Sequence, residues 1–174
     1  MQKRFVAVAV VALVAAFVMM GCAAKAPVMQ DGKQVAIFVL ADRGIKDSQK
    51  EDERKDRNEM GQFMEEDLIS TLKHYGYNAT LIQNNSQYVQ GSSNYLVSYK
   101  INEIRLVGRG ARSWGGFMAG PTILKAHFEV SGTSGKLSLS YDDEDSTTQD
   151  WTKSPKELNE RLINKINDKM VGKK

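Results

Sequence analysis

The sequence predicts an α+β fold in a single domain: a mixed sheet of about five strands, a βαβ unit followed by an antiparallel meander, with two helices on one face. Three observations predict it. A short apolar run is followed by a long helical repeat and a second short strand. Two-residue alternation then recurs between residues 94 and 141. Residues 154–170 return to helical spacing behind a start signal. Parallel neighbours need a crossover and antiparallel ones do not, so this order gives a sheet of mixed direction.

The first element is Val35-Ala36-Ile37-Phe38-Val39-Leu40, an unbroken apolar run rich in β-branched residues. Such a run fits a strand buried on both faces. Residues 42–57 carry charges of both signs and read as a solvated lead-in to a helix. Met60, Phe63, Met64, Leu68, Leu72 and Tyr75 then recur three and four apart, which places them on one face of a helix from about 50 to 74. Gly76 is its expected stop, and Lys73 and His74 sit in the last turn, where positive charge is favoured. Tyr77 to Ile82 reads as the second strand, and polar residues 83–93 as a loop.

Asn94 to Val107 is the longest strand candidate. Tyr95, Val97, Tyr99 and Ile101 alternate, and Ile104 and Leu106 continue in the opposite phase. A phase flip inside one strand predicts a β-bulge near Asn102-Glu103. Leu124, Ala126, Phe128 and Val130 alternate with Lys125, His127 and Glu129, so that strand has one wet face. After a Gly132–Gly135 turn, Leu137, Leu139 and Tyr141 alternate again. Asp142 to Asp145 reads as a solvated turn; it lacks the spacing and the glycine of a calcium loop. Ser154-Pro155-Lys156-Glu157 has the form of a capping box with Pro at the first helical position. Leu158, Leu162, Ile163, Ile166 and Met170 then form an apolar stripe for packing on the sheet.

Ahead of this domain stand a different kind of segment and the chain's one cysteine. Lys3 and Arg4 precede an apolar stretch from Phe5 to Met20, and Gly21 and Cys22 follow. That is the layout of a secretory signal, residues 1–21. A membrane-spanning helix is the rival reading, but at ~1.5 Å per residue the stretch falls short of the ~30 Å hydrocarbon core. Met19-Met20-Gly21-Cys22 resembles the lipobox of bacterial lipoproteins. The resemblance implies a diacylglyceryl group and an N-acyl chain, palmitate among the usual acids, on Cys22. Stable anchoring needs two lipid signals at ~0.8 kcal/mol per buried methylene, and such a cysteine exceeds that. Ala23 follows the cysteine, which by the same resemblance implies the outer membrane, with the inner membrane as the alternative. Residues 22–32 are the expected tether and 33–174 the domain.

Composition narrows the function classes. The chain has 24 Lys and Arg against 21 Asp and Glu, a formal net charge of +3. Loss of Lys3 and Arg4 with the signal would leave it near neutrality, and no basic stripe is present, so nucleic acid is not an expected partner. One cysteine, already assigned to lipid, leaves no disulfide and no cysteine-based metal site. His74 and His127 are 53 positions apart with no cysteine partner, so no zinc site is expected. No Gly-x-Ser-x-Gly occurs.

One segment stands apart. Gly108 to Pro121 contains Arg109, Arg112, Trp114, Phe117 and Met118 among its glycines. A strand follows it rather than a helix, and it has no Gly-Lys-Ser/Thr ending, so it does not read as a phosphate cradle. It reads either as a wide or bulged connection with its aromatics folded onto the domain, or as a contact patch.

The stretch Tyr95–Val130, taken with the helix ending at Gly76-Tyr77, resembles a group of bacterial lipoproteins sharing domain of unknown function 4410. Its mark is a strand, an Arg- and Gly-rich segment like Gly110–Gly120, and an alternating strand. That resemblance implies the fold and no established activity. More loosely, the element order is similar to the amino-terminal domain of the translocation protein TolB, and to lipoproteins that activate penicillin-binding proteins. The expectation is an envelope lipoprotein facing the periplasm: a non-enzymatic accessory or scaffold held by its lipid and binding an envelope protein. It needs no cofactor beyond the lipid on Cys22. The alternative is a lipoprotein that binds a small ligand or glycan.

Overall fold

A computed structural model of the chain describes residues 32–107, 120–132 and 137–171. The α+β expectation is met. Strands β1 (Ala36–Asp42), β2 (Asn78–Ile82), β3 (Asn94–Arg105), β4 (Thr122–Gly132) and β5 (Ser138–Thr147) join helices α1 (Glu51–His74) and α2 (Lys153–Met170) in a single domain. The sheet order is β2-β1-β3-β4-β5. β1 pairs parallel with β2 and with β3, and the β3-β4-β5 meander is antiparallel.

Each helix lays its apolar stripe on the same side of the sheet. Met60, Met64, Leu68 and Leu72 of α1 meet Leu158, Leu162, Ile163 and Ile166 of α2 over Ile37, Val39, Val97, Leu124 and Phe128, all fully buried. At roughly 25 cal/mol per Å² of apolar surface, this layer is the main source of stability. Two polar links register the helices. Asn159 donates to the Met64 carbonyl at 3.0 Å and to Asp67 at 2.9 Å, and the Tyr77 hydroxyl donates to Asn167. α1 ends in a Schellman motif: Gly76 N–H reaches Lys73 O at 2.9 Å and Tyr77 N–H reaches Leu72 O at 3.0 Å. Gly76 adopts φ 86°, which a side chain would resist.

The bulge falls between Ile101 and Glu103, where the phase flip placed it. A buried cation holds it. The Arg57 guanidinium donates to the Ile101 carbonyl at 3.0 Å, to Asn102 O at 3.2 Å and to Arg43 O at 3.2 Å. Gly44, at φ 64°, passes so close that a Cβ would collide with the Ile101 carbonyl. A buried carbonyl left unpaired costs about 1–3 kcal/mol, and these bonds from Arg57 stabilise the bulge on that scale.

Three local expectations are corrected. β1 is buried on one face only: Ile37 and Val39 are covered, while Phe38 and Leu40 are half-exposed on the other side. The apolar run reflects one core face and one apolar patch. The acidic run is strand rather than turn. Asp143 and Asp145 point to the helix side, where Arg161 of α2 binds them at 3.1 and 3.5 Å. The period of two simply continues, since a paired carboxylate on a strand needs only a cation opposite. Finally, α2 starts earlier than the capping box implies. Thr152 is its N-cap, no side chain caps it, and Ser154 lies buried inside the first turn. Pro155 is still tolerated there because first-turn N–H groups have no helical partner.

Candidate functional site

The helices cover one face of the sheet, and among the described residues no helix covers the other. This open face is the candidate site, and two-residue alternation decides which side chains it receives. Register sets them in rows. Phe38 lies beside Leu96, and Ile82, Leu40 and Ser98 form the next line. Asp42, Lys100, His127 and Asp142 line up across four strands. Glu103, Lys125 and Glu144 do the same across three.

The face is therefore divided. Around Phe38, Leu40 and Leu96 of β1 and β3 it is apolar, and these three side chains are half-exposed. Tyr88, from the loop after β2, packs edge-on against Phe38 at 5.4 Å between ring centres. Beyond that patch, at the ends of β1 and β3 and across β4 and β5, it is ionic. Lys125 bridges Glu103 at 3.0 Å and Glu144 at 3.6 Å, and Lys100 lies 3.5 Å from Asp42. Exposed pairs of this kind contribute ~0–1 kcal/mol each, so their weight is in shaping a charged surface rather than in stability.

His127 is the centre of the ionic half. Its Nδ1 is 2.9 Å from Asp142, and its Nε2 is 3.3 Å from the Ser140 hydroxyl and 3.5 Å from Glu129. The Asp142 hydrogen bond is the main cause that holds the imidazole pKa above its ordinary value. Partial burial opposes it, and the charges of Asp142 and Glu129 add to it. In the neutral imidazole the links run Ser140–His127–Asp142, the connectivity of a nucleophile, base and orienting acid. The surroundings differ from such a triad. Asp142 is 78% exposed instead of buried, and Glu129 competes with Ser140 for the same nitrogen. As it stands the cluster is an imidazole set among acids, which favour its protonated form. A shallow depression of about 240 Å³ lies next to it, lined by Leu40, Ser98, Lys100 and His127. Among the described residues no group of three His, Cys, Asp or Glu side chains could hold a metal ion.

The residues picked from the sequence fall elsewhere. Cys22, Arg109, Arg112, Trp114, Phe117 and Met118 lie outside the described residues. The ends of their segment are described: Arg105 pairs with Ile123, and Val107 N–H meets the Thr122 hydroxyl at 3.4 Å. The glycine-rich stretch thus joins two antiparallel neighbours at one end of the sheet. His127 was legible as a wet-face residue, but its partners were not, because Asp142 was read as part of a turn. The alternation of Ser138, Ser140, Asp142 and Glu144 was the available signal.

The model of a domain of unknown function, DUF4410, matches residues 23–173. The chain belongs to the DUF4410 family. Its match takes in every strand and helix of the domain and both halves of the open face. No curated protein matches the sequence. Among solved structures the family member is similar to a PelC dodecamer from Paraburkholderia phytofirmans, at 16% identity and a TM-score of 0.45, over 84% of this chain and 94% of that one. Among the described residues no helix is long and apolar enough to cross a membrane.

Proposed function

We propose that this DUF4410 protein is an envelope lipoprotein, anchored by lipid on Cys22 in the outer membrane and facing the periplasm. In this reading its domain is a non-enzymatic accessory that binds an envelope protein through the open face of the sheet. The observation that carries the reading is the divided face. A contiguous apolar patch of Phe38, Leu40 and Leu96, rimmed by Lys100, His127 and acidic side chains, has the make-up of an interface with an apolar centre and a polar rim. The depression on this face, about 240 Å³, is smaller than the ~300–1,000 Å³ usual for small-molecule sites. A protein partner therefore fits this face better than a small ligand does. The glycine-rich segment with Trp114, Phe117 and Met118, which lies between β3 and β4 in the sequence, is proposed as a second part of the contact.

The experiment is crosslinking in cells, followed by identification of the recovered proteins. Leu40→Ser with Leu96→Ser should lose specific adducts while the protein stays folded and membrane-bound. Trp114→Ala with Phe117→Ala should weaken the same adducts. Unchanged adducts in both variants contradict the partner reading. For the anchor, Cys22→Ala should move the protein out of the membrane fraction; retention there contradicts lipidation.

A further inference from the structure

The two connections that leave β1 and β2 go to opposite sides of the sheet. The chain leaving β1 enters α1, on the covered side. The chain leaving β2 carries Tyr88 onto Phe38, on the open side. In open sheets with parallel strands, such a switch leaves a crevice at the carboxyl ends of the strands, and ligands bind there. This molecule has that crevice. About 300 Å³ is enclosed by Ala41 and Arg43 after β1, Leu81, Ile82 and Gln83 at the end of β2, and Glu65 of α1. It continues into a groove of about 690 Å³ along α1, past Ile69 and Lys73.

The crevice is built, not incidental. Arg43 grips Glu65 with two parallel hydrogen bonds, at 2.7 and 2.8 Å, and Glu65 is only 8% exposed. Arg43 also donates to Asn58 at 3.1 Å. Its stem crosses α1 at Gly61, where a Cβ would lie 2.6 Å from the arginine Cγ. Glycine inside a helix costs about 1 kcal/mol relative to alanine, and here it makes room for the pair.

The lining sets the class of ligand. Arg43 and Glu65 neutralise each other, and the rim carries one charge of each sign, Lys73 and Glu66, so the lining has no net charge to attract a charged ligand. Gln62 and Gln83 offer both donors and acceptors, while Ile69 and the 37%-exposed Leu81 offer apolar contact. A small molecule with many hydroxyls, C–H faces and no charge matches all of these. We propose that the crevice between the carboxyl ends of β1 and β2 binds a neutral sugar, with Arg43, Glu65 and Gln83 as its hydrogen-bonding groups. This site is separate from the open face and does not depend on the partner reading.

The test is a titration of the isotope-labelled intact protein followed by backbone amide NMR, with glucose and N-acetylglucosamine as neutral probes. Glucosamine and glucuronate serve as charged counterparts. A neutral probe should give saturable shifts centred on Ala41, Leu81 and Gln83, and the charged sugars should bind roughly tenfold more weakly. Ala41→Leu, which fills the crevice, should abolish the shifts. Gln83→Ala, at an exposed position, should weaken binding without touching the core, so the test stands even if the first variant folds poorly. Saturable shifts from neither neutral sugar, shifts centred on Leu96 or His127 instead, or equal binding of the charged sugars would each overturn the proposal.

Discussion

The two faces of this sheet are made by the same strands and obey the same alternation, yet they are opposite in kind. On the helix side every strand contributes apolar residues, from Val39 through Val97 and Phe128 to Leu139. On the open side Phe38, Leu40 and Leu96 form one apolar patch on β1 and β3, and ions from Asp42 and Lys100 to His127 and Asp142 run beside it in cross-strand rows. A covered face must be apolar except where a charge finds a partner, as Asp143 and Asp145 do in Arg161, because burying an unpaired charge costs too much. The open face has no such constraint, so its apolar half is not explained by the fold. That contrast points to the open face as the place where the protein meets something else.

The sharpest way to break the comparison is to truncate one residue on each face. Phe128→Ala, under the helices, should lose about 3–5 kcal/mol in urea denaturation. Leu96→Ala, half-exposed on the other side, should lose about 1 kcal/mol or less. Equal losses would mean that the open face is not open. The next effect concerns the bulge that keeps β3 in phase on both faces. Arg57→Met should lose about 2 kcal/mol, because the Ile101 and Asn102 carbonyls lose their donor. Gly76→Ala, at a left-handed position, should lose about 1 kcal/mol.

The smallest expected effect is ionic. His127 has its pKa raised in the folded state, first by its hydrogen bond to Asp142. A raised histidine adds stability that is fully present below its unfolded pKa and is lost as the pH rises through the folded value. Stability measured from pH 5 to 8 should therefore show a shallow decline on that account, and His127→Gln should flatten it. The same slope in the variant would show that His127 is not its source. Added salt should reduce the contribution, since the pair is exposed.

What the sequence made legible follows from what alternation and helical spacing can carry. The helix 50–74, its glycine stop and the bulge at Asn102-Glu103 could all be read, because each is a local pattern with a local cause. The two-helix layer on one face also followed from stripes such as Leu158–Leu162–Ile166. The open face of β1 was hidden. Phe38 and Leu40 look like core residues in a one-dimensional run, and only the absence of a covering element among the described residues distinguishes them. β5 was cut short for a related reason: Asp143 and Asp145 read as loop until Arg161, 18 and 16 residues away, was seen to pair with them. The same misreading concealed the His127 cluster, whose second member came from that truncated strand. Long-range pairing of charges leaves no period in a sequence.

The central claim is that the open face, not the helix side, meets a partner. Site-specific photo-crosslinking tests it most directly, with the probe placed in cells at Ser98 on the open face or at exposed Glu160 on α2. A discrete, reproducible protein adduct from Ser98 and none from Glu160 is the predicted result. Adducts from Glu160 alone, or none from Ser98, would contradict it.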